Sequence, residues 1–251
     1  NTAVGYKSLY ANTTGASNVA IGRDALYTNS TGSENIAIGQ HAFRLSTVSN
    51  AGVAIGAYAL KTSTTGIQNI AIGMGTMDAS SSGSYNVAIG DSAMGSTTTA
   101  AQSVVIGYEA LKTATTSSEN IVIGYQAMED TTTGGSNTAI GRKAMKDNIT
   151  GSVNTAIGQG ALAYGTAPTF NTVVGYDAAI NTNSTQNTVM GYHALHSNTS
   201  GNQNVAIGYN AGDNITSGDN NITIGSDAAA PSTTQDDQLN IGGWIIGLKN
   251  G

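Results

Sequence analysis

Cysteine is absent from the 251 residues, so neither disulfides nor thiolate chemistry is open to this chain. Charged side chains make up only 10%, well below the roughly 25% of ordinary globular proteins. The formal net charge of −6 carries no basic footprint, which argues against a nucleic-acid partner. No apolar run reaches the roughly 18 residues needed for a membrane-spanning helix, so no membrane insertion is expected. Proline occurs twice and tryptophan once, at Trp244. The chain opens at Asn1 with neither an initiator methionine nor a signal peptide, and reads as a fragment or processed product of something longer.

Gly, Ser, Thr, Asn and Ala fill the space left by charge. That bias can mark disorder, but here β-branched residues return at fixed places, which disorder does not require. The organising stretch is Asn18-Val19-Ala20-Ile21-Gly22-Arg23-Asp24-Ala25-Leu26. Its glycine recurs at Gly5, Gly22, Gly39, Gly56, Gly73, Gly90, Gly107, Gly124, Gly141, Gly158, Gly175, Gly191, Gly208, Gly225 and Gly242. Each interval is 17 residues except the 16 from Gly175 to Gly191. A fixed period in this range denotes a repeat architecture.

Positions are counted from that glycine, from G−4 to G+12. G−1 is apolar throughout, and G−3 is β-branched everywhere but Leu239. Alternation puts these two on one face of a short strand. G−2, on the other face, is Ala nine times and Val at 105, 122, 173 and 189. A strand apolar on both faces is covered on both. One cover is the inside of a coil; the simplest second cover is another copy of the chain, placed against the G−2 or Ala-Leu face. G−4 is Asn in twelve of fifteen repeats, the exceptions being Gly52, Ser103 and Gln238, and predicts a side-chain ladder. The repeat glycine ends the strand where a side chain would obstruct a bend. The following x-x-Ala-Leu predicts a second short strand or an extended corner. Segments such as Asn12-Thr13-Thr14-Gly15 and Asn29-Ser30-Thr31-Gly32 carry turn chemistry and should face water. The repeat shortened after Gly175 should lose its residue from a loop.

These features predict an all-β parallel β-solenoid (β-roll) with one 17-residue repeat per coil, in two parts: repeat shaft or head over 1–230, and a C-terminal cap or transition over 231–251. The second part holds Leu239-Asn240-Ile241-Gly242-Gly243-Trp244-Ile245-Ile246-Gly247, the most apolar run.

The motif Asn-x-Ala-Ile-Gly-x-x-Ala resembles the head repeats of trimeric autotransporter adhesins, which form parallel β-rolls in threefold assemblies. Those repeats are shorter than 17 residues. The longer pattern, with Gly-Tyr-x-Ala-Leu and Asn-Thr-Thr-Gly, is more similar to repeats of phage tail fibres. The 239–247 segment looks like the stretch that precedes a self-cleaving intramolecular chaperone in such fibres. The resemblance implies a homotrimeric, extracellular fibre segment on a virion or a bacterial surface, with a cell-surface glycan or protein as receptor. It transfers no receptor-binding residue.

Candidate sites follow from the repeat. Tyrosine stands at G+1 in Tyr6, Tyr108, Tyr125, Tyr176, Tyr192 and Tyr209. Such a stripe can stack on sugars, or simply cover the coil edge with its hydroxyls in water. His41, His193 and His196 lack the Cys or carboxylate clustering of a metal centre. Asp213, Asp219 and Asp227 fit no calcium-loop spacing. No nucleophile elbow, carboxylate pair or His-centred triad is present in the sequence, so no enzymatic role and no cofactor is expected. The Asn-x-Ser/Thr sequons follow from composition. The runs Thr62-Ser63-Thr64, Thr97-Thr98-Thr99, Thr113-Ala114-Thr115 and Thr131-Thr132-Thr133 suggest a rival: a monomeric ice- or ligand-binding solenoid. Their offset drifts between G+6 and G+7, which argues against ordered ranks.

Overall fold

The computed structural model describes residues 1–248. The chain is an all-β parallel solenoid with 17-residue coils, in two compact units, Asn1–Thr133 and Gly134–Gly251. The first unit carries eight three-residue strands: β1 (Thr2–Val4), β2 (Val19–Ile21), β3 (Ile36–Ile38), β4 (Val53–Ile55), β5 (Ile70–Ile72), β6 (Val87–Ile89), β7 (Val104–Ile106) and β8 (Ile121–Ile123). The second carries β9 (Thr138–Ile140), β10 (Thr155–Ile157), β11 (Thr172–Val174), β12 (Thr188–Met190), β13 (Val205–Ile207), β14 (Ile222–Ile224), β15 (Gln238–Ile241) and β16 (Ile245–Leu248). Within each unit successive strands pair parallel and in repeat register, as in Ala20↔Ala37 and Ala139↔Ala156. The exception is β16, which folds back antiparallel on β15 around Gly242 and Gly243. The 16-residue coil leaves the strands untouched: Thr172 still faces Thr188 and Val174 faces Met190. Its lost residue comes out of the turn, as expected.

The inside of a coil is narrow. In the coil carried by Gly22, Asn18, Ala20, Ala25, Leu26 and Asn29 are buried. Outside stand the β-branched side chains, with Ile21 38% and Ile36 37% exposed. This reverses the face assigned from the sequence. The G−2 and Ala-Leu positions are not turned toward a partner; they fill the coil, where only small residues and one long side chain fit. The G−3 and G−1 side chains point out.

The Ala-Leu stretch is neither strand nor extended corner. Asp24 has φ 54° and Leu26 has φ 49°, and the same left-handed pair recurs at Tyr58 and Leu60 and at Lys143 and Met145. Alternating the hand of the backbone turns the chain within a few residues, and it flips alternate N–H groups. Asp24 N–H donates back to Tyr6 O (2.9 Å), while Leu26 N–H donates forward to Ala42 O (3.0 Å). A left-handed Leu costs about 1–2 kcal/mol. Burying its whole side chain contributes a comparable amount, about 1.5–3 kcal/mol, and Leu26, Leu60, Met77 and Leu111 are fully buried.

The G−4 ladder forms as predicted. Asn35 N–H donates to Asn18 Oδ1 (2.9 Å), and its Nδ2 donates to Ser49 O (2.7 Å). In the second unit the chain of acceptors runs through Asn137, Asn154, Asn171, Asn187, Asn204 and Asn221 to the N–H of Gln238. Each of these Asn side chains accepts from its neighbour's main chain, so register pairs the ladder's acceptors, while, among the described residues, Asn221 Nδ2 at its end is buried without a partner. The polar turn is only partly in water: Asn29, Asn148 and Asn198 are fully buried. Asn29 bridges its own turn by donating to Gly32 O (2.9 Å).

Candidate binding surface

The repeat period decides which side chains meet, because a residue touches its equivalent one coil away. The tyrosines at G+1 therefore stack wherever they are consecutive. Tyr108 and Tyr125 have centroids 5.3 Å apart and planes within 11°. Tyr176, Tyr192 and Tyr209 form a triple, at 5.3 and 5.2 Å. Tyr6 lies apart, with Lys7 Nζ 5.4 Å from its ring centroid. The six residues thus make a single ring, a pair and a triple. Inside the triple, Tyr192 has a ring on each side, so it offers an outside molecule its edge and hydroxyl rather than its face. Tyr10 and Tyr27, at G+5, stack in the same way at 5.3 Å.

Charge is arranged around these rings. Lys112 Nζ reaches Glu109 Oε1 at 2.6 Å, and Gln126 Nε2 donates to Glu109 Oε2 at 3.0 Å. The bond from Lys112, then that from Gln126, holds the Glu109 carboxyl below its ordinary value. The neighbouring negative charge of Glu109 in turn pushes the Tyr108 phenol up.

The histidines sit in two places. His41 lies 3.5 Å from Asp24 and against the Tyr58 ring, and burial pushes its pKa down. His193 stacks on Tyr192 at 4.0 Å, with His196 at 4.7 Å and Asp177 Oδ2 at 3.8 Å. Among the described residues, no group of three or more His, Cys, Asp or Glu is placed to hold a metal ion. Asp219 accepts the Asn202 N–H (2.6 Å), and Asp227 accepts from Asn210 Nδ2 (2.9 Å), so both serve links between coils. Asp213 N–H bonds to Asn210 O within its own turn.

The threonine runs differ from expectation. One offset, G+8, is shared by Thr13, Ser30, Thr47, Thr64, Ser81, Thr98 and Thr115. Each hydroxyl in this rank donates to the main-chain carbonyl of its equivalent one coil on, at 2.9–3.2 Å. The apparent drift came from reading runs of threonine rather than the one position the coil repeats. Sequence reasoning also missed a hollow of about 150 Å³ in the second unit, bordered by Arg142, Lys143, Gln159, Gly160, Ala163, Tyr164, Asp177 and Ile180. Its only signal in the sequence is the joint loss of side chains at Gly160 and Ala163. Neither a protein-family model nor a curated protein nor a solved structure matches this chain.

Proposed function

We propose that this chain is a structural and adhesive segment of a homotrimeric fibre, of the bacteriophage tail-fibre kind, that supports or performs binding to a host surface. Its work is mechanical rather than catalytic, and its place is the outside of a virion. The observation that carries the reading is the outward face of the first unit. There Val19, Ile21, Ile36, Ile38, Val53, Ile55 and their successors present two adjoining rows of β-branched side chains, many of them exposed. A continuous apolar strip on thin coils calls for a cover. Copies of the same chain carry an identical strip, and closed symmetry lets them cover one another. A bacterial trimeric surface adhesin has the same physics and is the alternative within this class. A protein or glycan receptor completes the proposal.

The test is native mass by light scattering on a sizing column. A mass near three chains supports the fibre; a monomer overturns it. The in-register hydroxyl rank favours a second reading, a monomeric ice or ligand binder. That reading requires both a monomer and thermal hysteresis in freezing solutions.

A further inference from the structure

Charge is spread unevenly along this chain. Residues 1–61 set four cations, Lys7, Arg23, Arg44 and Lys61, against two carboxylates, Asp24 and Glu34, a balance of +2 in a chain whose total is −6. Arg23 stands at G+1, Lys7 at G+2, and Arg44 and Lys61 at G+5, whereas Glu34 lies in the polar turn. The cations therefore share one edge of four consecutive coils, past the strands that carry the apolar strip, and span about 14 Å along the stack. Tyrosines stand between them. Lys7 Nζ lies 5.4, 5.5 and 5.9 Å from the ring centroids of Tyr6, Tyr10 and Tyr27. Arg44 Cζ lies 5.7 Å from the Tyr27 centroid, and Lys61 Nζ 5.6 Å from that of Tyr58. Burial is the main cause of the lowered His41 pKa; Asp24 opposes it, and Arg44, Arg23 and Lys61 all add to it, so three of the charges converge on one ring. The carboxylates answer only part of this charge. Asp24 Oδ2 serves Arg23 (3.7 Å) and His41 (3.5 Å), and Asp78 Oδ1 serves Lys61 (3.6 Å). Among the described residues, Lys7 and Arg44 have no carboxylate within ion-pair distance. Further along the same unit Lys112, also at G+5, is held by Glu109 at 2.6 Å.

We infer that this edge binds a short stretch of acidic glycan, whose sugar residues carry carboxylate or sulfate groups. The inference rests on the reading that the chain meets a surface glycan, but not on its oligomeric state. Lys7 and Arg44 supply the uncompensated charge, and both side chains stay protonated at neutral pH. They stand two coils apart, so they suit a ligand whose own charges recur along its length rather than a single ion. Tyr6 and Tyr10, 64% and 65% exposed, offer hydroxyls and ring edges to the sugar between those charges. Single-stranded nucleic acid also carries recurring charge, but it binds by stacking its bases on open ring faces. Tyr10 and Tyr27 stack on each other at 5.3 Å with planes within 5°, and Lys7 hangs over both, which leaves no slot for a base between them. Charges this exposed make weak, salt-sensitive contacts, so the affinity is low and falls as ionic strength rises.

The experiment is a saturation-transfer NMR titration of the intact protein with trigalacturonate, a heparin tetrasaccharide, maltotriose and decathymidylate, at about 20 mM and about 150 mM salt. The expected result is transfer to at least one acidic oligosaccharide and none to maltotriose, weaker at the higher salt. Lys7→Gln and Arg44→Gln each weaken binding about three- to fivefold, and the double variant about tenfold or more. Lys143→Gln, which removes a cation of the second unit, keeps it. Lys7 is exposed, so its variant tests the site without disturbing the coil, and melting checks the fold of Arg44→Gln. Silence from both acidic oligosaccharides at the lower salt overturns the site, as does equal transfer to maltotriose, full binding in the double variant or loss in Lys143→Gln. Preferential binding of decathymidylate through Lys7 and Arg44 overturns the glycan as ligand. Light scattering on the same samples separates the two proposals. An oligomer without glycan binding sinks the edge alone; a glycan-binding monomer sinks the fibre alone.

Discussion

The ring of Phe43 occupies the space that a side chain on Gly52 would need: a Cβ on Gly52 would lie 2.5 Å from Phe43 Cζ and 3.0 Å from Cε2. Phe43 is the only aromatic residue at G+4, and Gly52 the only glycine at G−4. The two departures from the repeat are one exchange of volume. Gly52→Asn alone should destabilise by about 1–3 kcal/mol through overpacking. Phe43→Leu alone should leave a void and cost about 1 kcal/mol. Together they restore the ordinary repeat and should come back close to wild type, with a coupling of about 0.5–3 kcal/mol. Chemical denaturation of the four proteins measures this. Simple additivity would sink the exchange.

Two glycines equally crowded by the next coil should respond differently to alanine. A Cβ on Gly90 would lie 2.4 Å from Gly107 O, and one on Gly83 would lie 2.4 Å from Ala100 O. Only Gly90 has a positive φ, at +136°. Ala100 itself stands at G+10, the position of Gly83, so a Cβ there is accommodated with a small shift. Gly90→Ala should cost about 3 kcal/mol or more. Gly83→Ala should cost less than about 1 kcal/mol. Thermal melts in parallel decide it, and equal losses would show that crowding rather than backbone conformation governs.

Neighbouring residues on one strand should separate folding from assembly. Ala88 is fully buried and Ile89 is partly exposed. Ala88→Arg places a charge inside the coil and should lower stability by several kcal/mol in any oligomeric state. Ile89→Arg should keep the circular dichroism of the coil while dissociating the proposed trimer. A trimer that survives Ile89→Arg with full heat resistance would remove the outward strip from the interface.

Acid should be felt at His41. Burial is the main cause of its lowered pKa, against the opposing pull of Asp24. The fold therefore favours the neutral ring. The group's stabilising contribution is present above the unfolded value of about 6.5 and is lost as pH falls through the lower folded value. Stability should drop on that acid side, and His41→Gln should flatten the drop. Proton NMR titration of His41 gives the direct check; a midpoint above that of a free imidazole would reverse the sign.

Period, strand position and the Asn ladder were all legible, because each depends on a residue meeting its own equivalent. Which face turns inward was not. Ala20 and Ile21 are both apolar, and polarity alone does not say that a coil this narrow admits the alanine and expels the isoleucine. The left-handed backbone at Leu26 and Leu60 was also hidden, since neither residue favours that region and only burial offsets it. The tyrosine stripe was visible as a column, but its division into a single ring, a pair and a triple depends on which intervening coils carry Arg23, Gln40, Ala57, Met74, Asp91, Arg142 and Gln159 instead. The notch at Gly160 and Ala163 is an absence, and absences in a repeat are read only after the coils are laid one on another.

Nearly every main-chain link between coils in the first unit joins residues 16–18 positions apart, and none requires a particular distant partner. A coil therefore does not recognise its place in the sequence, only the shape of the coil beside it. Removing one whole repeat within residues 1–133 brings together two surfaces that already fit, whereas removing half of one leaves an Asn facing an Ile. The unit of heritable change for this molecule is the complete turn, so its gene can lengthen or shorten the protein by recombining between repeats, with the fold proofreading the length of each exchange.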